Sequence, residues 1–174
     1  LNKKKQALES FQMAIQLNPI NGKAHYELGL IYESILKLDE AIMEYNIAKK
    51  YFKLDQLNYN LGSLFFKQGQ YQNALLPLRE YIINHPYNFE VLEMLGEIFM
   101  NENRFSEAID TYNRLLDIHP DNEKYYNNIA TSYLILENYE QAKKYYKKVL
   151  DFNEENPPIL FALGEISNIL NEYN

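Results

Sequence analysis

The sequence contains no cysteine, which removes disulfides, thiolate metal sites and cysteine nucleophiles at once. No stretch is long and apolar enough to span a bilayer, so no membrane insertion is expected. Cations are short as well: 17 Lys and Arg stand against 24 Asp and Glu, for a net charge of -7. That deficit argues against a sequence-independent nucleic-acid binder, whose phosphate contacts need clustered Lys and Arg, and against adhesion to an anionic membrane. The three histidines form no cluster with zinc spacing, so no metal and no cofactor are expected. His85 and His119 hold equivalent places before Pro86 and Pro120, which suits imidazoles near helix C-termini. No Ser/His/Asp constellation exists, and no catalytic residue is expected.

What is present is a repeat. Residues 89–122 carry Leu92, Leu95, Phe99 and Met100, then Ala108, Ile109, Tyr112, Leu115 and Leu116, each set at helical spacing. The polar stretch from Asn101 to Arg104 separates the two sets, and Pro120 closes the second. The unit is a helical hairpin, with a first helix A and a second helix B. Leu28-Gly29, Leu61-Gly62, Leu95-Gly96 and Ile129-Ala130 repeat its start at steps of 33, 34 and 34 residues. A period near 34 predicts a solenoid of stacked hairpins.

These residues resemble the tetratricopeptide repeat (TPR) family. Its pattern is met in residues 89–122 by Leu92, Leu95-Gly96, Phe99, Ala108, Tyr112, Leu115 and Pro120. The resemblance covers nearly the whole chain and implies an all-α fold, a right-handed α-solenoid of antiparallel helix-turn-helix hairpins. As one array over 1–174, the chain reads as the second helix of a truncated repeat (1–21), complete repeats (22–54, 55–88, 89–122, 123–156) and the first helix of another (157–174). Since it opens at Leu1 inside a helix B, it is expected to be a fragment.

Several positions depart from the pattern. His25 and Asn58 stand where a large apolar residue is usual, and Tyr81 departs too. The 22–54 unit is one residue short and lacks a closing proline, which predicts a tighter turn over 51–56. Pro77 falls inside a helix B, is placed near its first turn, and predicts a mild kink. Gly29, Gly62, Gly96 and Gly164 recur at one helix A position. A helical glycine costs about 1 kcal/mol against alanine, so close helix contact is expected to compensate at each. Only Gly22 and Gly69 lie outside that set, leaving no glycine-rich phosphate loop.

In the TPR family the exposed face of helix A lines a concave groove for extended peptides or partner helices. By that resemblance the groove carries Lys23, Tyr26, Glu27 and Leu30, then Tyr59, Asn60, Ser63 and Phe66. Glu90, Glu93, Met94 and Glu97 follow, then Lys124, Asn127, Asn128 and Thr131, and finally Phe161. Tyr26 and Tyr59 hold equivalent places and either meet peptide side chains or pack on each other across the helix interface. Glu90, Glu93 and Glu97 share one helical face, which either receives a basic partner segment or is a solvated surface partly neutralised by Lys124.

The carboxylate clamp that some TPR domains use for chaperone tails does not fit. Its positions fall on Tyr26, Leu30, Asn60, Glu90 and Met94, or on Tyr59, Ser63, Met94, Lys124 and Asn128. The asparagine ladder of the O-linked N-acetylglucosamine transferase arm is broken as Glu27, Asn60, Met94, Asn128, Ala162. The expectation is a cytoplasmic, non-catalytic scaffold for a protein or peptide with a basic segment, not a carboxylate-clamp adaptor. The alternatives are the substrate-recruiting arm of a larger enzyme, such as a glycosyltransferase, and self-association through truncated ends.

Overall fold

The computed structural model describes residues 2–172, in which every regular element is an α-helix. They are α1 (Asn2–Leu17), α2 (Gly22–Ser34), α3 (Leu38–Tyr51), α4 (Asp55–Lys67), α5 (Tyr71–Asn84), α6 (Phe89–Asn101), α7 (Phe105–Ile118), α8 (Glu123–Ile135), α9 (Tyr139–Leu150) and α10 (Pro157–Glu172). The chain divides into two compact units at Pro86 and Tyr87. In the first, α2 pairs with α3 and α4 with α5, while α1 packs on α2 and α3 on α4. In the second, α6 pairs with α7 and α8 with α9, while α7 packs on α8 and α9 on α10. Each unit is therefore an α-solenoid segment of stacked hairpins.

The turn inside each hairpin has one geometry. Leu36, Gly69, Asn103 and Glu137 take φ of 60°, 70°, 58° and 57°, the left-handed region. The next N–H in each case returns to a carbonyl five residues back: Lys37 to Tyr32, Gln70 to Phe65, Arg104 to Phe99 and Asn138 to Tyr133, at 2.8–2.9 Å. This is the Schellman arrangement, which satisfies carbonyls that a helix end leaves open. Three of the four left-handed residues are not glycine, so the hydrogen bonds offset about 1–2 kcal/mol of strain at each. The helix starts α2, α6 and α9 are capped by Asn21, Asn88 and Asn138, whose side chains accept from backbone N–H groups at 3.0–3.3 Å.

The hairpin core is built where helix B crosses the small residue of helix A. A Cβ added at Gly29 would lie 2.6 Å from the Tyr45 ring, one at Gly62 2.4 Å from Leu78 Cδ2, and one at Gly96 2.9 Å from Tyr112 Cζ. Around the first of these contacts Ala41, Tyr45, Ala48, Leu57, Leu61 and Leu64 form one buried cluster, and Ala130, Ala142, Tyr146, Val149, Ile159 and Ile166 form another in the second unit. Each leucine buried in this way contributes about 1.5–3 kcal/mol of apolar transfer.

Three sequence expectations are changed, and one departure from the pattern is explained. Gly22 belongs to the packing set after all, since a Cβ there would meet Phe52 Cβ at 2.7 Å and Phe52 N at 2.9 Å, where the chain leaves α3. Gly164 does not: nothing lies within 4 Å of its Cβ position among the described residues. Pro77 is the seventh residue of α5 rather than part of its first turn, and it is buried there. His25 replaces an apolar residue by making two polar contacts, Nδ1 to Glu44 Oε2 at 2.5 Å and Nε2 to the Pro19 carbonyl at 3.0 Å, so it ties the α1–α2 turn to α3.

Asn58 holds the equivalent place on α4 without that solution, because its Oδ1 is buried with no hydrogen-bond partner among the described residues. Asn58→Leu is expected to stabilise the chain by about 1 kcal/mol or more, the desolvation penalty of an unpaired amide oxygen; an unchanged or lowered urea midpoint would contradict it. Gly29→Ala should cost about 1–3 kcal/mol through overpacking against Tyr45, whereas Gly164→Ala should gain roughly 1 kcal/mol of helix propensity. The same unfolding measurement separates the two glycines by sign.

Candidate binding groove

The expected groove residues sit on the A-type helices α2, α4, α6 and α8, but they do not stand equally free. In the first unit Tyr26 packs in tilted contact with Tyr45 and Phe52 (ring centroids 5.9 and 6.1 Å), Tyr59 with Tyr81 (5.4 Å) and Phe66 with Tyr71 (5.7 Å). Tyr26 and Tyr59 thus pack against helix B of their own hairpins, and Leu30 is half-buried beside Tyr26 on the same core. Asn60 and Ser63 are only 7% and 8% exposed. Asn60 spends its side chain inside the wall, donating to Tyr45 Oη at 3.2 Å and accepting from Gln56 Nε2 at 3.1 Å.

In the second unit Glu93 is half-buried and Glu97 exposed, while Asn127, Asn128 and Thr131 are half-buried along α8. Glu93 Oε1 accepts from the Tyr125 hydroxyl at 2.6 Å, so its near neighbour on α8 is a phenol and not Lys124. Lys124, Asn127 and Thr131 line a cleft of about 540 Å³ together with Tyr146, Asn156, Ile159 and Ala162, between α8 and α10. The Tyr146 and Thr131 hydroxyls lie 3.3 Å apart on its wall. One hydrogen satisfies that contact, and the second hydroxyl hydrogen is left to donate elsewhere.

Sequence reasoning missed the helix B tyrosines as polar partners of the A-helix residues. Tyr45, Tyr112 and Tyr146 are buried, yet their hydroxyls reach through the hairpin to polar residues of the A helices. Tyr45 donates to Glu33 at 2.9 Å as well as receiving Asn60; Tyr112 bonds the Asn128 side chain; Tyr146 meets Thr131. The signal lay in the pairing of a small helix A residue with a phenol sixteen positions later, as in Gly29 and Tyr45, Gly96 and Tyr112, and Ala130 and Tyr146. In the hairpin with Leu78 the hydroxyl is lacking.

Tyr45, Tyr112 and Tyr125 hold their protons tightly. Burial, then the Glu33 hydrogen bond, pushes Tyr45 well above the usual tyrosine range. Burial and then the charge of Glu97 push Tyr112 up to about 12, with the Asn128 hydrogen bond opposing. Tyr125 is raised by burial and then by its bond to Glu93. Burial dominates because an ionised phenolate loses its hydration. Among the described residues, no group of three His, Asp or Glu side chains is placed to hold a metal, and no helix is long and apolar enough to cross a membrane.

Stacked helix-turn-helix hairpins with close small-to-large crossings define a helical-repeat protein. A tetratricopeptide repeat model matches residues 1–51 and 59–123, and a second one matches residues 123–156. The chain belongs to the tetratricopeptide repeat family. No curated protein sequence matches the chain. Among solved structures it is similar to YrrB, a TPR protein with an unusual peptide-binding site, at 23% identity and TM-score 0.73 over 92% of this chain and 84% of that one. It is also similar to MamA AMB-1, at 23% identity and TM-score 0.73 over 89% and 85%. Both likenesses concern the fold.

The raised phenols set an alkaline limit on stability. Above the ordinary tyrosine value near 10 the unfolded chain sheds protons that folded Tyr112 keeps until about 12. Between these values the folded state binds more protons, so the contribution is complete below about pH 10 and is lost as pH rises towards 12. Thermal midpoints should therefore fall across this window, and less steeply for Tyr112→Phe; equal slopes would refute the assignment.

Proposed function

We propose that the protein is an interaction scaffold without chemistry of its own, which holds a partner peptide or helix against the A-helix faces of its hairpins. The observation that carries this reading is the cleft beside α8, where Lys124, Asn127 and Thr131 present a cation, an amide and a hydroxyl that the hydrophobic core does not require. Apolar Ile159 and Ala162 share the lining, and a concave surface with a few convergent polar groups on an apolar wall suits a peptide chain.

The cleft is framed mainly by α8, α9 and α10, with Asn156 from the α9–α10 connection, and neighbour-to-neighbour bonds tie the helices of each unit together. Tyr145 of α9 donates to Asn113 of α7 at 3.2 Å, and Ser132 of α8 lies 3.1 Å from Met100 Sδ of α6. In the first unit Lys49 reaches Glu80 at 2.6 Å and Gln68 reaches Asp39 at 2.9 Å. Such links in a repeat protein keep the binding face preformed, which lowers the ordering cost of association. The peptide-binding site of YrrB, a protein of similar fold, supports the same reading by analogy of architecture.

Pull-downs from the source organism, read by mass spectrometry, test it with the wild-type chain beside Lys124→Glu/Asn127→Ala and a control, Lys50→Glu, in the exposed last turn of α3. The expected result is a partner retained by wild type and control and reduced about tenfold or more by the double variant, as for loss of a contact worth ~1.4 kcal/mol. Retention of every partner by the double variant would move the binding surface off this face.

A further inference from the structure

A second cavity, of about 410 Å³, opens where α6 begins beside the α7–α8 turn. Its walls include Phe89 and Glu93 of α6, His119 and Asp121 of the turn, and Tyr125 of α8, and its lining contains no Lys or Arg. Phe89 is 44% exposed, a large apolar ring left facing solvent, and it meets His119 edge-on with centroids 5.6 Å apart. Glu93 gives one oxygen to the Tyr125 hydroxyl at 2.6 Å; its other oxygen and the exposed Asp121 carboxylate remain to accept. The cavity therefore joins two carboxylates to an aromatic wall, within a volume well above the ~30 Å³ share of one water.

Charge on the surrounding helix has the same sign. α6 carries Glu90, Glu93 and Glu97 and no basic residue, with successive acids about one turn apart on one face. The field of these groups is felt by their neighbours, since Glu93 helps to hold the protons of Tyr125 and Tyr112, and Glu97 that of Tyr112. An anionic side chain would meet repulsion here. A neutral one would leave the carboxylates to water. A long cationic side chain matches both parts of the lining, its aliphatic stem lying along Phe89 and its charged head reaching Glu93 and Asp121.

We propose that this cavity seats a lysine or arginine side chain of the partner peptide, an inference that rests on the scaffold reading above. The whole chain and its Glu93→Gln/Asp121→Asn variant are used to select binders from a random dodecapeptide library displayed on phage, with Asp117→Asn, exposed on α7 and outside the cavity lining, as the control. Both substitutions keep side-chain shape, Asp121 lies in an exposed turn, and thermal midpoints verify folding. Wild type and control are expected to enrich peptides with a basic residue at one register position. A synthetic peptide from that set should lose about tenfold in affinity for the double variant, and its Lys→Gln analogue should bind wild type and variant alike. Peptides enriched without a basic residue, or with an equal preference in the variant, would overturn the inference and leave the scaffold reading standing. Recovery of no peptide by any of the three proteins would overturn both.

Discussion

The rest of the structure depends on how closely helix B can cross helix A within a hairpin. At Gly29, Gly62 and Gly96 the ring or branch of the crossing residue occupies the space of the missing Cβ. That approach determines where the partner helix lies, and with it which residues of helix A are left on the opposite face. Propensity alone would disfavour glycine in the middle of these helices by about 1 kcal/mol each. The packing of Tyr45, Leu78 and Tyr112 against them reverses that preference, so a locally weak residue becomes the organising point of each hairpin.

The same crossing gives the A-helix face part of its polarity. A tyrosine that seats its ring on the small residue also projects its hydroxyl beyond it, to Glu33 and Asn60 in one hairpin and to Thr131 in another. Core and groove are therefore not separate sets of residues. Asn60, chosen from the repeat pattern as a ligand contact, is committed to this internal network, and its low exposure follows from it. Tyr26, Tyr59 and Phe66 are held in a similar way, each against an aromatic of its own hairpin, which gives these rings a fixed orientation at low entropic cost.

The two units carry different chemistry on a common frame. In the first, aromatic contacts and the Tyr45 network dominate the A-helix face. In the second, glutamates on α6 and the amide and hydroxyl groups of α8 leave two polar cavities. One is lined by carboxylates and aromatic rings, the other by a lysine, amides and hydroxyls. The repeat holds the backbone constant while the residues outside its pattern vary, and those residues give the two units different surfaces.

The sequence by itself determined the helices, their pairing into hairpins and the family, because a period of 34 residues and the alternation of small and aromatic positions are local properties of the chain. It also identified the A-helix face, since whatever the repeat pattern does not consume is left for that face. Four matters were decided only by the tertiary structure. Asn60 and Ser63 are closed while Asn127 and Thr131 line a cleft, because exposure depends on the neighbouring hairpin. His25 is satisfied by Glu44 and the Pro19 carbonyl whereas Asn58 is not, because their partners lie on other elements. Gly22 is pressed against Phe52 and Gly164 faces open space among the described residues, although the repeat pattern assigned close packing to Gly164 and not to Gly22. Finally, Phe89, Glu93, His119 and Asp121 become one cavity only when the α7–α8 turn folds back beside the start of α6. In each case the deciding contact joins residues distant in sequence, and periodicity along the chain carries no information about it.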